Sequence, residues 1–231
     1  MKQQHILPLL ISLLFPLVCA AQDTIVPEET AVRETYGLRV GIDLVRPVRS
    51  LLEDEYRGFQ VKGDYRLYEN VYLAGEFGNE RNLMAQDNVT ATARGSYLKI
   101  GANYNVYENW QGMQNLIYVG LRYGLASFST ELQEYAIYTT STYFGPDIRT
   151  EDQVFENLTA SWIEMQLGLK VEVLNNVYLG GNVQLKRRIT QTRPTNFDNL
   201  YIPGFNRTYD GSTFGVGYGY SISYLIPIFR K

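Results

Sequence analysis

The chain has 231 residues, a formal net charge of −3, 20 Gly, 19 Tyr, and one cysteine and one histidine. That length fits a single domain, and the slightly acidic balance offers no basic surface for nucleic acid. Cys19 and His5 both fall in the first 21 residues, so an exported chain would have no disulfide, thiol or imidazole chemistry.

Residues 1–21 have the features of a signal peptide. Lys2 precedes the apolar stretch Ile6–Val18, and Ala20 and Ala21 supply small residues before Gln22. A lipid anchor on Cys19 is the alternative, but Val18 stands where such signals take Gly, Ala or Ser. Loss of Lys2 with the leader takes the charge from −3 to −4. About 210 residues remain, within the range of a single-domain barrel. Residues 22–35 include Glu28, Glu29 and Glu34, lack periodicity, and predict a flexible acidic arm.

Eight strands follow over 36–231, each marked by apolar residues at every second position. The first runs Tyr36, Leu38, Val40, Ile42, Leu44. The second has Phe59, Val61, Tyr65 and Leu67, the third Val71, Leu73 and Phe77, the fourth Leu98, Ile100, Tyr104 and Val106. The fifth is Ile117 to Leu125, the sixth Ile163 to Val173, the seventh Val177 to Leu185. The last runs Phe214, Val216, Tyr218, Tyr220, Ile222, Tyr224, Ile226, Ile228, with Gly215, Gly217, Gly219, Ser221 and Ser223 between. A lipid-exposed helix would not segregate its small residues at period two.

The connections alternate in length. Tyr68-Glu69-Asn70, Glu108-Asn109-Trp110 and Leu174-Asn175-Asn176 are short turns, each with Asn, which tolerates the left-handed backbone of tight hairpins. The others, around Pro47–Arg57, Asn79–Ala93, Phe128–Leu158 and Gln191–Ser212, are predicted to be long polar loops. Short turns at one rim and long loops at the other match an antiparallel up-and-down transmembrane β-barrel, for which eight is the smallest strand count.

The chemistry of the second face decides which side meets lipid. It carries Arg39, Asp43, Lys62, Asp64, Arg66, Glu76, Lys99, Arg122, Glu164, Lys170, Glu172, Lys186 and Arg188. Turned inward, these charges pair with one another. Turned outward, they would force the bulky apolar face into a narrow cylinder. The lumen is therefore predicted to be a packed charge network, not a pore. The alternative is a soluble periplasmic or secreted lipocalin-like barrel with an apolar ligand in its lumen.

Nothing in the sequence supplies a catalytic site. Outer-membrane barrel hydrolases use a histidine base, which the exported chain lacks, and the carboxylates Glu164 and Glu172 have no motif spacing. No metal or cofactor motif is present, and no cofactor is expected. Recognition is expected from aromatic loop residues: Tyr135, Tyr138, Tyr143 and Phe144 in the third long loop, and Phe197, Tyr201, Phe205 and Tyr209 in the fourth. The same residues would alternatively cap the barrel mouth.

Several segments carry a resemblance: Tyr36-Gly-Leu-Arg-Val-Gly-Ile-Asp43, Gly63-Asp-Tyr-Arg66, Leu73-Ala-Gly-Glu-Phe-Gly-Asn-Glu80, Val171-Glu-Val-Leu-Asn-Asn176 and Tyr201-Ile-Pro-Gly-Phe-Asn-Arg207. Through them the chain resembles an uncharacterised outer-membrane β-barrel family of Bacteroidota, domain of unknown function 6048. The resemblance implies a small exported barrel and transfers no catalytic residue. The expected location is the bacterial outer membrane, and the expected function structural or surface recognition. The expected partners are outer-membrane lipids and, through the C-terminal strand, the barrel-assembly machinery.

Overall fold

Period-two alternation becomes strand because Val, Ile, Tyr and Phe suit a pleated surface whose two faces meet different surroundings. The computed structural model describes residues 35–86, 88–107, 114–137, 147–195, 197–209 and 211–230. The leader 1–21, nearly all of the acidic arm 22–35, and the turn residues Glu108, Asn109 and Trp110 lie outside the described residues. The strands are β1 (Thr35–Asp43), β2 (Tyr56–Arg66), β3 (Val71–Gln86), β4 (Val89–Asn105), β5 (Leu116–Ile137), β6 (Asp147–Leu174), β7 (Val177–Gln191), β8 (Tyr201–Ile202), β9 (Asn206–Arg207) and β10 (Phe214–Arg230). Helix α1 (Val45–Leu52), the one helix among the described residues, follows β1.

Eight of the strands close into a ring in the order β1-β10-β7-β6-β5-β4-β3-β2, and β8 and β9 form a separate hairpin. Every neighbouring pair in the ring is antiparallel. Ring neighbours are consecutive in sequence except across the β7–β10 connection, which holds the small hairpin, and at the seam. The seam joins the first strand to the last, with Val40 opposite Tyr224 and Ile42 opposite Ile222.

The bulky face points outward. Val40, Leu121 and Leu169 are 38%, 61% and 50% exposed, and the odd members of Ile117–Leu125 all face out. Nine strand residues are about the span of a tilted strand across a bilayer core. Tyr36 departs from the pattern. It is buried with the Arg66 guanidinium 4.7 Å over its ring, where the register shifts between Tyr36 and Gly37.

The long connections differ from expectation. Asn79–Ala93 is mostly strand, turning only between Gln86 and Val89. Phe128–Leu158 likewise extends β5 to Ile137 and begins β6 at Asp147. Outside, these upper segments carry Asn79, Arg81, Ser96, Ser127 and Thr159, while Ala93, Phe128 and Leu158 face in, so the apolar-out alternation is lost although the backbone ladder continues. Pro47–Arg57 contains most of helix α1. Asp43 starts it, accepting hydrogen bonds from the Val45 and Arg46 backbone N–H groups at 3.1 and 3.3 Å, a carboxylate at a helix N-terminus. Pro47 sits in the first turn, where no backbone donor is needed.

Of the short turns, Leu174-Asn175-Asn176 uses the left-handed region at Asn176 (φ 64°). Tyr68-Glu69-Asn70 does not; there Asn70 instead gives its carbonyl to the Asn105 N–H at 2.7 Å.

Inward-facing glycines make room for rings. A Cβ on Gly124 would lie 2.3 Å from the Trp162 indole, and one on Gly168 2.6 Å from the Tyr118 ring. A Cβ on Gly120 would lie 2.5 Å from Asn103 Oδ1, which holds Arg122. The space that Gly120 faces is therefore already filled. Outward-facing Gly75 has nothing closer than a carbonyl at 3.8 Å. Gly124→Ala is expected to destabilise the barrel by about 1–3 kcal/mol through overpacking, and Gly75→Ala to be near neutral. Urea unfolding of both variants in detergent measures the difference.

Candidate functional site

The lumen is the strongest candidate, because strand parity brings charged side chains from seven of the eight walls, all but β10, into one interior. Glu164 lies at its centre. Lys99 Nζ is 2.9 Å and Lys186 Nζ 3.9 Å from Glu164 Oε2, while Trp162 Nε1 donates to the same oxygen at 3.2 Å and Gln166 Nε2 to Oε1 at 2.6 Å. Glu76 is held by Gln60 at 2.6 Å, Gln166 at 3.0 Å, Lys99 at 3.5 Å and Arg122 at 3.8 Å. Lower in the barrel, Asp64 pairs with Arg39 at 3.1 Å and with Lys170. The Arg39 guanidinium also lies 4.2 Å over the Tyr178 ring. Asp43 pairs with Lys62 at 3.0 Å and Arg46 at 3.1 Å.

These charges are desolvated, so they depend on one another. Arg39, Asp43, Asp64, Glu76, Lys99, Arg122, Glu164 and Lys186 are buried; Lys62, Arg66, Lys170, Glu172 and Arg188 are half-buried. The remaining cavity among Arg39, Lys62, Asp64, Glu76, Arg122 and Lys170 is about 20 Å³, room for about one water. Glu164 and Glu172 are committed, the latter accepting from the Asn176 N–H at 2.8 Å.

A plug closes the upper mouth. The hairpin β8–β9 pairs Tyr201 with Arg207 and Ile202 with Asn206. Its tip turns through Gly204 (φ 77°) and Asn206 (φ 84°), which drives Phe205 inward. Phe205 meets Trp162 edge-on at 5.9 Å and joins Tyr97, Phe128, Leu158 and Ile202 in one apolar cluster. Polar clamps fix the tip: Lys186 Nζ donates to the Gly204 carbonyl at 2.8 Å, while Tyr201 OH and the Gly204 N–H donate to Glu80 Oε2 at 2.7 and 3.1 Å. Arg46 Nε donates to the other Glu80 oxygen at 2.6 Å. Glu80 thus ties both α1 and the hairpin to the wall.

Sequence reasoning missed Glu80 and Arg46, because Glu80 falls in a segment predicted as loop and Arg46 lies between the first strand and the loop predicted from Pro47. Parity was the available signal: Glu80 and Asn82 continue the inward series of Tyr72, Ala74 and Glu76. Of the expected recognition residues, Tyr201 and Phe205 are buried, 4% and 1% exposed, and belong to the plug. Phe197 stacks on Phe155 at 6.2 Å, and Tyr209 is exposed beside Arg207. Tyr135 lies on the extended part of β5, half-buried. Tyr138, Tyr143 and Phe144 lie outside the described residues.

The wall has one discontinuity. β1 ends at Asp43, so above that level β2 and β10 are not bridged by a strand, and α1 stands between them. The Leu44 N–H continues the ladder to the Tyr220 carbonyl at 2.7 Å, and Asn206 Nδ2 reaches the Val216 carbonyl at 3.3 Å. A cavity of about 450 Å³ remains beside α1, lined by Arg46, Arg49, Tyr56, Glu80 and Tyr218 among others. Its ionised groups are already paired, Arg46 with Glu80 and Arg49 with Glu53.

The chain belongs to the family Domain of unknown function (DUF6048), whose model matches residues 1–231. No curated protein matches it significantly. Among solved structures it is similar to the crystal structure of Ail, the attachment invasion locus protein of Yersinia pestis, at 10% identity and a TM-score of 0.38, covering 82% of this chain and 96% of that chain.

Glu80→Gln is expected to leave the ring closed and loosen the plug, since breaking one side of a buried ion pair costs about 3–5 kcal/mol. Faster tryptic cleavage at Arg207 than in wild type measures it. At the C-terminus of α1, Arg49 hydrogen-bonds both Glu53 oxygens and holds that carboxyl below its ordinary 4.5. A lowered carboxyl stabilises above its unfolded value, and the contribution is lost as pH falls through the folded one. The pair is solvated and small in energy. Fraying of α1 should therefore grow as pH falls from the ordinary carboxylate value through the lowered one, and the Glu53 side-chain carbon shift followed by NMR checks that its midpoint lies below the ordinary value.

Proposed function

We propose that this protein is an outer-membrane barrel that does not conduct, exported by its leader and inserted by the barrel-assembly machinery through β10. It would present its upper hairpins at the cell surface and act there without catalysis. The outward belt of Val40, Leu121, Leu169 and their row neighbours supports this reading above all, because a soluble protein does not leave so continuous an apolar band exposed. Ring closure fits it too: in a bilayer core each strand needs both neighbours, since unpaired backbone groups have no water to turn to. The charged, filled lumen speaks against the lipocalin-like alternative, which needs an apolar cavity. Surface contact would fall to the β5–β6 hairpin and the exposed rim around Phe197 and Tyr209.

Leu121→Arg tests the reading. A charge on the lipid face near the bilayer centre costs about 2–4 kcal/mol, so this variant should fold into phosphatidylcholine vesicles more slowly and less completely than wild type. Folding is followed by the heat-dependent mobility shift of the barrel in gel electrophoresis. Equal folding of variant and wild type would overturn the membrane assignment.

A further inference from the structure

Three arginines on the outer wall are opposed in strand register. Arg57 on β2 is paired with Arg81 on β3, and Arg81 with Arg94 on β4. All three are exposed. Directly opposed residues on one face have Cβ atoms about 5 Å apart, and like charges so placed repel. Two such contacts in succession are a cost that the fold itself does not explain.

The row's own bonding leaves it largely unneutralised. Arg81 makes no hydrogen bond or ion pair among the described residues. Arg94 donates only from Nε, to Ser129 Oγ at 3.2 Å, which leaves its two terminal nitrogens open. Arg57 is turned to the carbonyls of Ser50, Glu53 and Tyr56 at the end of α1, with Asp54 at 3.9 Å. It adds charge to the row more than free donors. The nearest outward carboxylates along the ladder, Glu55, Glu131 and Glu156, form no ion pair with Arg81 or Arg94.

What lies beneath the arginines identifies the ligand. Two residues down each strand comes a row of small polar side chains, Asn79, Ser96 and Ser127, with Asn79 Nδ2 donating to Ser96 Oγ at 2.9 Å. Two further down comes an apolar row, Phe77, Leu98 and Leu125. Each step is about 7 Å along the strand. The outer surface thus passes from guanidinium to amide and hydroxyl to hydrocarbon over two such steps. A shallow depression runs along the upper two, reaching Glu156 and Asn157 on β6.

We propose that Arg81 and Arg94, backed by Arg57, bind the phosphate of a phosphorylated lipid in the outer leaflet. Its linker lies on Asn79, Ser96 and Ser127, and its chains lie on Phe77, Leu98 and Leu125. Guanidinium pairs suit this task because each presents parallel N–H donors to phosphate oxygens. The site rests on the membrane assignment above and adds to it a ligand class and a position.

Phosphatidic acid is the probe, with phosphatidylcholine and inorganic phosphate as comparisons. Full-length protein in neutral detergent is titrated with each, and bound lipid is counted by native mass spectrometry. Wild type should retain phosphatidic acid in preference to phosphatidylcholine. The double variant Arg81→Gln with Arg94→Gln should bind it about tenfold or more weakly, the loss expected when charge-assisted bonds to phosphate are removed. Arg187→Gln is the control. Arg187 also faces outward, but on β7, beside Phe214 and outside the row, and its removal should change nothing. Equal retention by wild type and the double variant would overturn the site. Inorganic phosphate competing as well as the lipid would move it from a lipid to a free anion, and stronger displacement by a soluble acidic glycan would move it to a polysaccharide. Insertion into neutral vesicles separates the two levels: failure to insert overturns the membrane assignment and this site together, while insertion without headgroup preference overturns the site alone.

Discussion

Ring closure is the constraint from which the other features follow. A sheet with an open edge must hide or satisfy a row of backbone groups; joining β1 to β10 removes that edge over the lower wall. Closure at eight strands makes the cylinder narrow. Narrowness means the inward side chains touch, so their charges must match in sign and position. Glu164 among Lys99, Lys186, Trp162 and Gln166 is the clearest result. The inward glycines belong to the same constraint, since a cylinder that contains Trp162 and Tyr118 needs opposing positions without side chains.

The seam shows how closure is completed where a strand stops. β1 is shorter than its neighbours, and α1 takes its place above Asp43. That residue does three things at once: it ends the strand opposite Ser221, caps the helix, and neutralises Lys62 and Arg46. Glu80 has a matching role one level up, holding helix and plug to the same wall. Two carboxylates therefore organise the upper mouth, and both are inward members of strands whose parity continues unbroken from the apolar belt.

The lower half of this architecture was legible in the sequence because water, or lipid, and lumen differ there. Leu73 and Phe77 face out while Tyr72 and Glu76 face in, and hydropathy records the difference. Above Phe77 the outward residues become Asn79 and Arg81, the inward ones Glu80 and Asn82, and the pattern looks like loop although the ladder continues. Helix α1 was hidden for another reason: eight residues with Pro47 among them give too few turns for a helical period to register. The plug was legible only as composition. Tyr201 and Phe205 were visible as aromatics in a loop, but their inward turn depends on Gly204, Lys186 and Glu80, which come together only in three dimensions.

The central claim is that the bulky face meets hydrocarbon and the ionised face meets the closed lumen. Nitroxide labels placed singly at Leu121, on the belt, and at Thr159, on β6 above it, test this most directly in reconstituted vesicles. The account predicts that the Leu121 label relaxes readily with oxygen and is shielded from a water-soluble nickel complex, while the Thr159 label shows the opposite. A Leu121 label that the nickel complex reaches as easily as it reaches Thr159 would contradict it.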